Sequence, residues 1–201
     1  MNPIVSWGYF EFLDLILGKY LPKNLARNAL AGSHAIISTA LAGACIYTEN
    51  GDDATFNSLY TMLKIYSSGY LIYDSCCTLR DDKLTLTRWA WLYHHVSTFL
   101  YIHTEPKIYD GHKIMFWAEL SNIPSYFVYY YIKTRQLDTA KYKFLSALQK
   151  LLYVGIRIPV LGNLTVKKLQ SFVKDKRPVY MVLPVYLMGL IWSAKLLSQS
   201  R

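Results

Sequence analysis

The run Trp91-Leu-Tyr-His94-His95-Val-Ser-Thr-Phe-Leu-Tyr-Ile-His103 sets two adjacent imidazoles in an otherwise apolar stretch. Imidazole changes charge near neutrality, so it can move protons, attack as a nucleophile or ligate a metal. Among apolar neighbours it is costly to desolvate, and two together need polar counterparts. Four candidates lie in other apolar segments: His34, Asp74, Glu119 and Asn122.

What positions them follows from composition. Of 201 residues, 53% are hydrophobic and only 17% charged. A soluble domain carries about a quarter charged residues. The mean hydropathy of +0.14 is modest, which suits membrane spans with a polar interior better than spans of pure Leu and Ile. Length points to a single domain covering 1–201. The expected class is all-α, a multi-pass transmembrane bundle of about six spans. Those spans are placed at 25–48, 56–79, 84–104, 112–133, 141–165 and 178–197, each near the ~20 residues that cross a bilayer. A short amphipathic or partly inserted segment, 4–21, precedes them and ends at Pro22. It holds Glu11 and Asp14 and lacks a basic start, so a cleaved signal peptide is not expected. Cys45 stands alone and Cys76 and Cys77 are adjacent, a spacing that suits neither a disulfide framework nor a metal centre.

Loop charge suggests an orientation. Lys19, Lys23 and Arg27 precede the first span, and Glu49, Asp52 and Asp53 follow it. Arg80, Lys83 and Arg88, then Lys133, Arg135, Lys141 and Lys143, mark further cytoplasmic ends. The last loop disagrees, since six crossings place Lys167, Lys168, Lys174, Lys176 and Arg177 outside. A fifth segment lying along the interface would resolve the conflict, and a crossing fifth helix with a basic stripe is the favoured alternative.

Helical periodicity then aligns the polar groups. Trp91, His94, His95, Ser97, Thr98 and Tyr101 fall on one arc of about 160°, with Leu92, Val96, Phe99 and Leu100 opposite on a face suited to lipid. Arg27, His34, Ser38 and Cys45 align on the first span. Tyr60, Ser67, Tyr70, Asp74 and Thr78 align on the second, and Glu119, Asn122 and Tyr126 on the fourth. Lys143, Ser146, Lys150, Tyr153 and Arg157 make a narrow stripe on the fifth. Each ionisable group inside a span costs at least ~2.5 kcal/mol, so matching inward stripes predict a shared polar cavity. Plainer uses stand beside that one. His34 could be a hydrogen-bonded packing residue, Asp74 a partner of Arg80 or Arg88, and Glu119 an acceptor across helices. His103 falls near the boundary, where solvation suffices.

With these residues in place, the chain resembles the TLC-domain family of membrane proteins. The resemblance rests on WLYHHVSTFLYI, with Asn28-Ala-Leu-Ala-Gly-Ser-His34-Ala and Ser68-Gly-Tyr-Leu-Ile-Tyr-Asp74 before it and Glu119-Leu-Ser-Asn-Ile-Pro124 after it. It covers roughly residues 20–200 and implies an endomembrane location such as the endoplasmic reticulum. Membrane lipids would be the partners, around a cavity open to lipid. Ceramide synthases in that family use the His pair for acyl transfer. The resemblance thus makes His94 or His95 a nucleophile or general base, with acyl-CoA as co-substrate and no resident cofactor. Asp74 or Glu119 would orient the pair, and the basic stripe, Lys150 and Arg157, would hold a headgroup or the acyl carrier. The synthases carry two aspartates on the helix after the pair. Here that helix offers Glu119 and Asn122, closer to the small stand-alone TLC-domain proteins.

The competing function is a non-catalytic lipid sensor, trafficking factor or regulator of phospholipid composition using the same cavity. Haem ligation by His34 with His94 or His95 is a third reading. Self-association into a homo-oligomer stays open. Nucleic acid is not an expected partner, because the +9 charge sits in loops flanking spans. The sequon at Asn163-Leu-Thr165 is expected to be unused.

Overall fold

The computed structural model describes residues 2–80, 85–104, 110–170 and 177–198, without the side chains of 168–170, 177–182 and 184. Lys83 and Glu105 lie outside the described residues, as do the side chains of Lys168, Lys174, Lys176 and Arg177. The described residues are all-helical, at 88% helix, with no strand among them. The helices are α1 (Pro3–Leu17), α2 (Lys23–Thr48), α3 (Asp53–Leu79), α4 (Leu86–Ile102), α5 (Gly111–Lys133), α6 (Ala140–Lys150), α7 (Ile158–Gln170) and α8 (Arg177–Ser198). A π-helical turn, Leu151–Arg157, joins α6 to α7 without a break. The six expected segments all appear as helices close to their expected bounds.

Start signals explain several boundaries. Asn2, Asp52, Thr85 and Thr139 each accept a backbone N–H at the head of a helix. Pro3 occupies the first position of α1, where its missing N–H costs nothing.

Helix packing closes a ring. α2 packs on α3, α3 on α4, α4 on α8, α8 on α7, and α7 and the π turn on α5, which returns to α2. The α2–α5 seam is close because Gly32 faces Tyr126 and Gly43 faces Phe116, where an added Cβ would sit 3.3 Å from either ring residue. On the far side, a Cβ at Gly162 would meet the Tyr186 hydroxyl at 2.7 Å. One half of the ring is filled by Ala42, Cys45, Phe56, Tyr60, Leu63, Leu71, Ile102 and Met115. Two staples mark the two ends. Lys113 Nζ lies 2.9 Å from Glu49 and 3.0 Å from Asp110 at the filled end. At the other, Arg80 meets Glu11 at 3.0 Å.

α1 lies outside the ring along α3. Phe10 sits among Leu30, Tyr70, Tyr73 and Cys77, and Ser6 presses on Gly69. The helix departs from the amphipathic expectation. Its outer residues Ile4, Val5, Tyr9, Phe12 and Leu15 are exposed and apolar, so neither face is polar.

Among the described residues, two helical stretches, Lys23–Thr48 and Ala140–Lys167, are long and apolar enough to cross a membrane, with hydropathies of 1.6 and 1.4. The fifth segment is thus a continuous helical stretch that could cross, by length and composition. α3, α4 and α5 fall short for identifiable reasons. α4 has 17 residues, about 25 Å at 1.5 Å per residue, against a core of ~30 Å. α3 and α5 carry Lys64, Asp74, Lys113, Glu119 and many tyrosines, which lower their mean hydropathy.

Two tests follow. A Cβ at Gly69 would lie 2.2 Å from Ser6 Oγ and 2.6 Å from the Ser6 backbone carbon. Gly69→Ala should thus lower stability by about 1–3 kcal/mol, as overpacking does; an unchanged unfolding curve in detergent would remove α1 from this seat. At Asp52, the Thr55 hydroxyl and the N–H groups of Ala54 and Thr55 hold the carboxyl below its ordinary value. Its stabilising effect is then complete above the unfolded pKa of ~3.9 and lost as pH falls through the lower folded value. Asp52→Ala should lower the unfolding midpoint at neutral pH, with the gap closing on acidification. A gap that persists at low pH would refute the cap.

Candidate functional site

The half of the ring left open by the apolar plug holds a cavity of about 780 Å³. That is within the usual range for small-molecule sites, ~300–1,000 Å³. Its walls come from every helix of the ring except α7, with the π turn contributing Tyr153 and Arg157. Leu71, Ile114, Met115 and Thr98 lie at the plug, and Asn24, Arg27, Thr85, Arg88, Tyr129 and Lys195 lie toward the Arg80 end.

His34, Asp74, His94, His95, Glu119, Asn122 and Arg157 all line this cavity. The two histidines differ in support. His95 is 4% exposed, with Nε2 3.5 Å from Asp74 Oδ2 and Nδ1 3.4 Å from Ser75 Oγ. His94 has its Nδ1 buried without a hydrogen-bond partner. Its ring is edge-on to Trp91 and Trp192, with centroids 5.8 and 6.1 Å away. One imidazole is thus oriented by a carboxylate, and its neighbour is held only by aromatic walls.

A second polar chain crosses from α5 to the π turn. Asn122 Nδ2 donates to Glu119 Oε2 at 3.5 Å, and Asn122 Oδ1 accepts from Arg157 Nη1 at 2.7 Å. The Arg157 guanidinium lies 4.5 Å over the Tyr153 ring. Arg157 is 3% exposed, and its Nε has no partner. A buried charge without a carboxylate beside it costs on the order of several kcal/mol.

The remaining expectations resolve individually. Asp74 pairs with His95, and Arg80 is taken by Glu11. His34 stacks on Tyr70 at 4.0 Å and 12°, with Nε2 unpartnered, so ring packing holds it rather than a hydrogen bond. Glu119 accepts from its own helix, and Asn122 carries the link across. His103 bonds Ser68 Oγ at 2.9 Å instead of relying on solvent. Leu92 is buried and Phe99 packs on the plug; the outward face of α4 is Trp89, Tyr93, Val96 and Leu100. Lys150 is not among the lining residues, whereas Gln149 is, bonding Ser125 Oγ at 3.1 Å. The reason is the π turn. Its i→i+5 bonds wind more residues into each turn, so the stripe drawn at α-helical pitch breaks between Lys150 and Arg157. Asn163 lies within α7 with Thr165 buried. Among the described residues, no group of three or more His, Cys, Asp or Glu could hold a metal ion.

Sequence reasoning passed over two residues. Trp192 stacks on Trp91 at 4.6 Å and lines the cavity beside His94; an aromatic in the last apolar segment gave no hint of facing the pair. His112 is fully buried, edge-on to Phe56, with Nε2 3.5 Å from Glu49. It belongs to the filled end of the ring.

No protein-family model, no curated protein and no solved structure matches the chain.

The α4–α8 wall is testable. Trp91→Ala, Trp192→Ala and the double variant should show a coupling of about 0.5–1.5 kcal/mol in unfolding experiments, the value of an aromatic pair beyond its area. Additive losses would mean that the two rings do not touch.

Proposed function

We propose that this chain is a multi-pass membrane protein that handles lipids, related to the small TLC-domain proteins. In this reading its ring of helices presents a lipid-binding cavity to the cytoplasmic side of an endomembrane. The observation that carries the reading is the inversion of polarity. Histidines, carboxylates and arginines face the interior, while Ile36, Ile37, Trp89, Val96, Leu100, Leu187, Ile191 and the outer face of α1 are exposed. Soluble monomers rarely expose apolar surface on that scale. Six crossings then place Lys19, Lys23, Arg27, Arg80, Arg88, Lys133, Arg135, Lys141 and Lys143 at the open end, and Glu49, Asp52 and Asp53 at the plugged end. The last loop, with Lys167, Lys168, Lys174, Lys176 and Arg177, falls at the plugged end and counts the other way, but the larger number of Lys and Arg at the open end makes that end cytoplasmic in this reading.

The chemistry that the site favours is acyl transfer at His94. His95, fixed by Asp74 and Ser75, has its ring 5.6 Å from that of His94 and would relay the imidazole proton to the leaving thiolate. A neutral His94 nitrogen attacks the thioester carbonyl of an acyl-CoA; the C–N bond forms, the C–S bond breaks, and CoA leaves as the thiol with the imidazole proton. An acceptor amine or hydroxyl then takes the acyl group, and its proton returns to the imidazole. Trp91 and Trp192 would keep water from the acyl-imidazole.

Purified protein incubated with a long-chain acyl-CoA should show a one-acyl mass increase. The adduct should be absent in His94→Ala and form at least 100-fold more slowly in His95→Ala, the scale of a lost acid–base group. A folded, lipid-replete protein that forms no adduct would be a sensor or carrier rather than a transferase.

A further inference from the structure

Arg157 is a buried cation with an unusual set of partners. Its Nη1 reaches the Asn122 carbonyl, its face lies on Tyr153, its Nε is unpartnered, and no carboxylate lies within ion-pairing distance among the described residues. Glu119 is near, yet Asn122 stands between the two, turning its amide to the carboxylate and its carbonyl to the guanidinium. An aspartate in that position would neutralise Arg157 outright. Asparagine instead keeps the positive charge available to the cavity.

Elsewhere in the lining, Arg27 and Arg88 have partners of their own, and the two carboxylates are engaged, Asp74 by His95 and Glu119 by Asn122. A ligand that pairs with Arg157 therefore brings its own negative charge. Guanidinium presents a donor fork that fits a phosphate in a bidentate manner. The apolar residues at the plug end, Leu71, Ile114 and Met115, offer the other half of an amphiphile its place.

We propose that Arg157 is the anion seat of this cavity and that the physiological ligand carries a phosphate group, which completes the pairing that Asn122 withholds. The proposal rests on the lipid-cavity reading above and names its substrate class. Phosphate could arrive on a lipid headgroup or on the acyl carrier, and the two sources are separable by experiment.

The test is tryptophan fluorescence of the full chain in detergent micelles, since Trp91 and Trp192 line the same space. The probes are oleoyl-lysophosphatidic acid, mono-oleoylglycerol, oleate and free CoA. The phosphate-bearing amphiphile should bind at least 10-fold tighter than the acylglycerol and the oleate. Arg157→Gln should erase that preference, and Arg157→Lys should keep part of it. Asn122→Asp guards against a variant that fails to fold. It should raise the ligand-free unfolding temperature and weaken phosphate binding at least 10-fold, because the counter-charge is then built in. Equal binding of the amphiphiles, or an Arg157→Gln variant that keeps the preference, would overturn the anion seat while leaving a lipid cavity. CoA binding that Arg157→Gln abolishes, with none of the three amphiphiles bound, would support the seat, assign the phosphate to the carrier and overturn the lipid reading. No binding of any probe to folded protein would overturn both.

Discussion

The apolar plug around Phe56, Tyr60, Ile102 and Met115 governs the rest of the molecule. Six helices cannot meet on a common axis along their whole length and also leave room for a ligand. Filling one half of the ring fixes the relative heights and rotations of the helices there, and the other half inherits those rotations. α2, α3 and α5 pack at the plug through small or apolar residues, then carry Arg27, His34, Asp74, Glu119 and Asn122 inward beyond it. Direct contacts then finish the placement: His34 stacks on Tyr70, His95 meets Asp74, Arg27 donates to the Cys77 carbonyl, and Asn122 joins Glu119 to Arg157.

This division of labour explains what could be read from sequence. The helices were legible because apolar segments of bilayer-like length are separated by charged loops, and Asp52, Thr85 and Thr139 are recognisable starts. The inward stripes were legible because each lies on unbroken α-helix, so periodicity carries over several turns. Failures occurred where that condition breaks. Lys150 was grouped with Arg157 across a turn that is not α-helical. Leu92 was assigned to lipid because a wheel gives angles, not neighbours, and the packing of α4 on both α3 and α8 buries more of its circumference. The plainer use of Asp74, as a partner of Arg80 or Arg88, rested on proximity in the chain; Asp74 lines the cavity instead, and Glu11, sixty-nine residues before Arg80, takes that arginine.

The histidine pair shows how neighbours in sequence become unequal. About 100° of helical rotation separates them. That rotation gives His95 to the α3 wall, with Asp74 and Ser75, and His94 to the aromatic wall formed with α8. Two identical side chains thus acquire an oriented and an unoriented role without any difference in chemistry. The pairing of Trp91 with Trp192 has the same origin, since Trp91 is one helical turn from both histidines, at ring distances of 5.8 and 5.6 Å.

The π turn at Leu151–Arg157 has a bearing on inheritance. Such a turn holds one residue more than α-helix would use for the same rotation, so the same residues wound as unbroken α-helix would turn everything after them by about 100°. Wound that way, Gly162 would leave Tyr186, and the junction of α7 with α8 would lose its close approach. Removing one residue while the stretch rewinds as α-helix restores the original rotation. What descendants of this chain must preserve between Leu151 and Arg157 is therefore the angle between the two ends of the turn, not the number of residues that spans it.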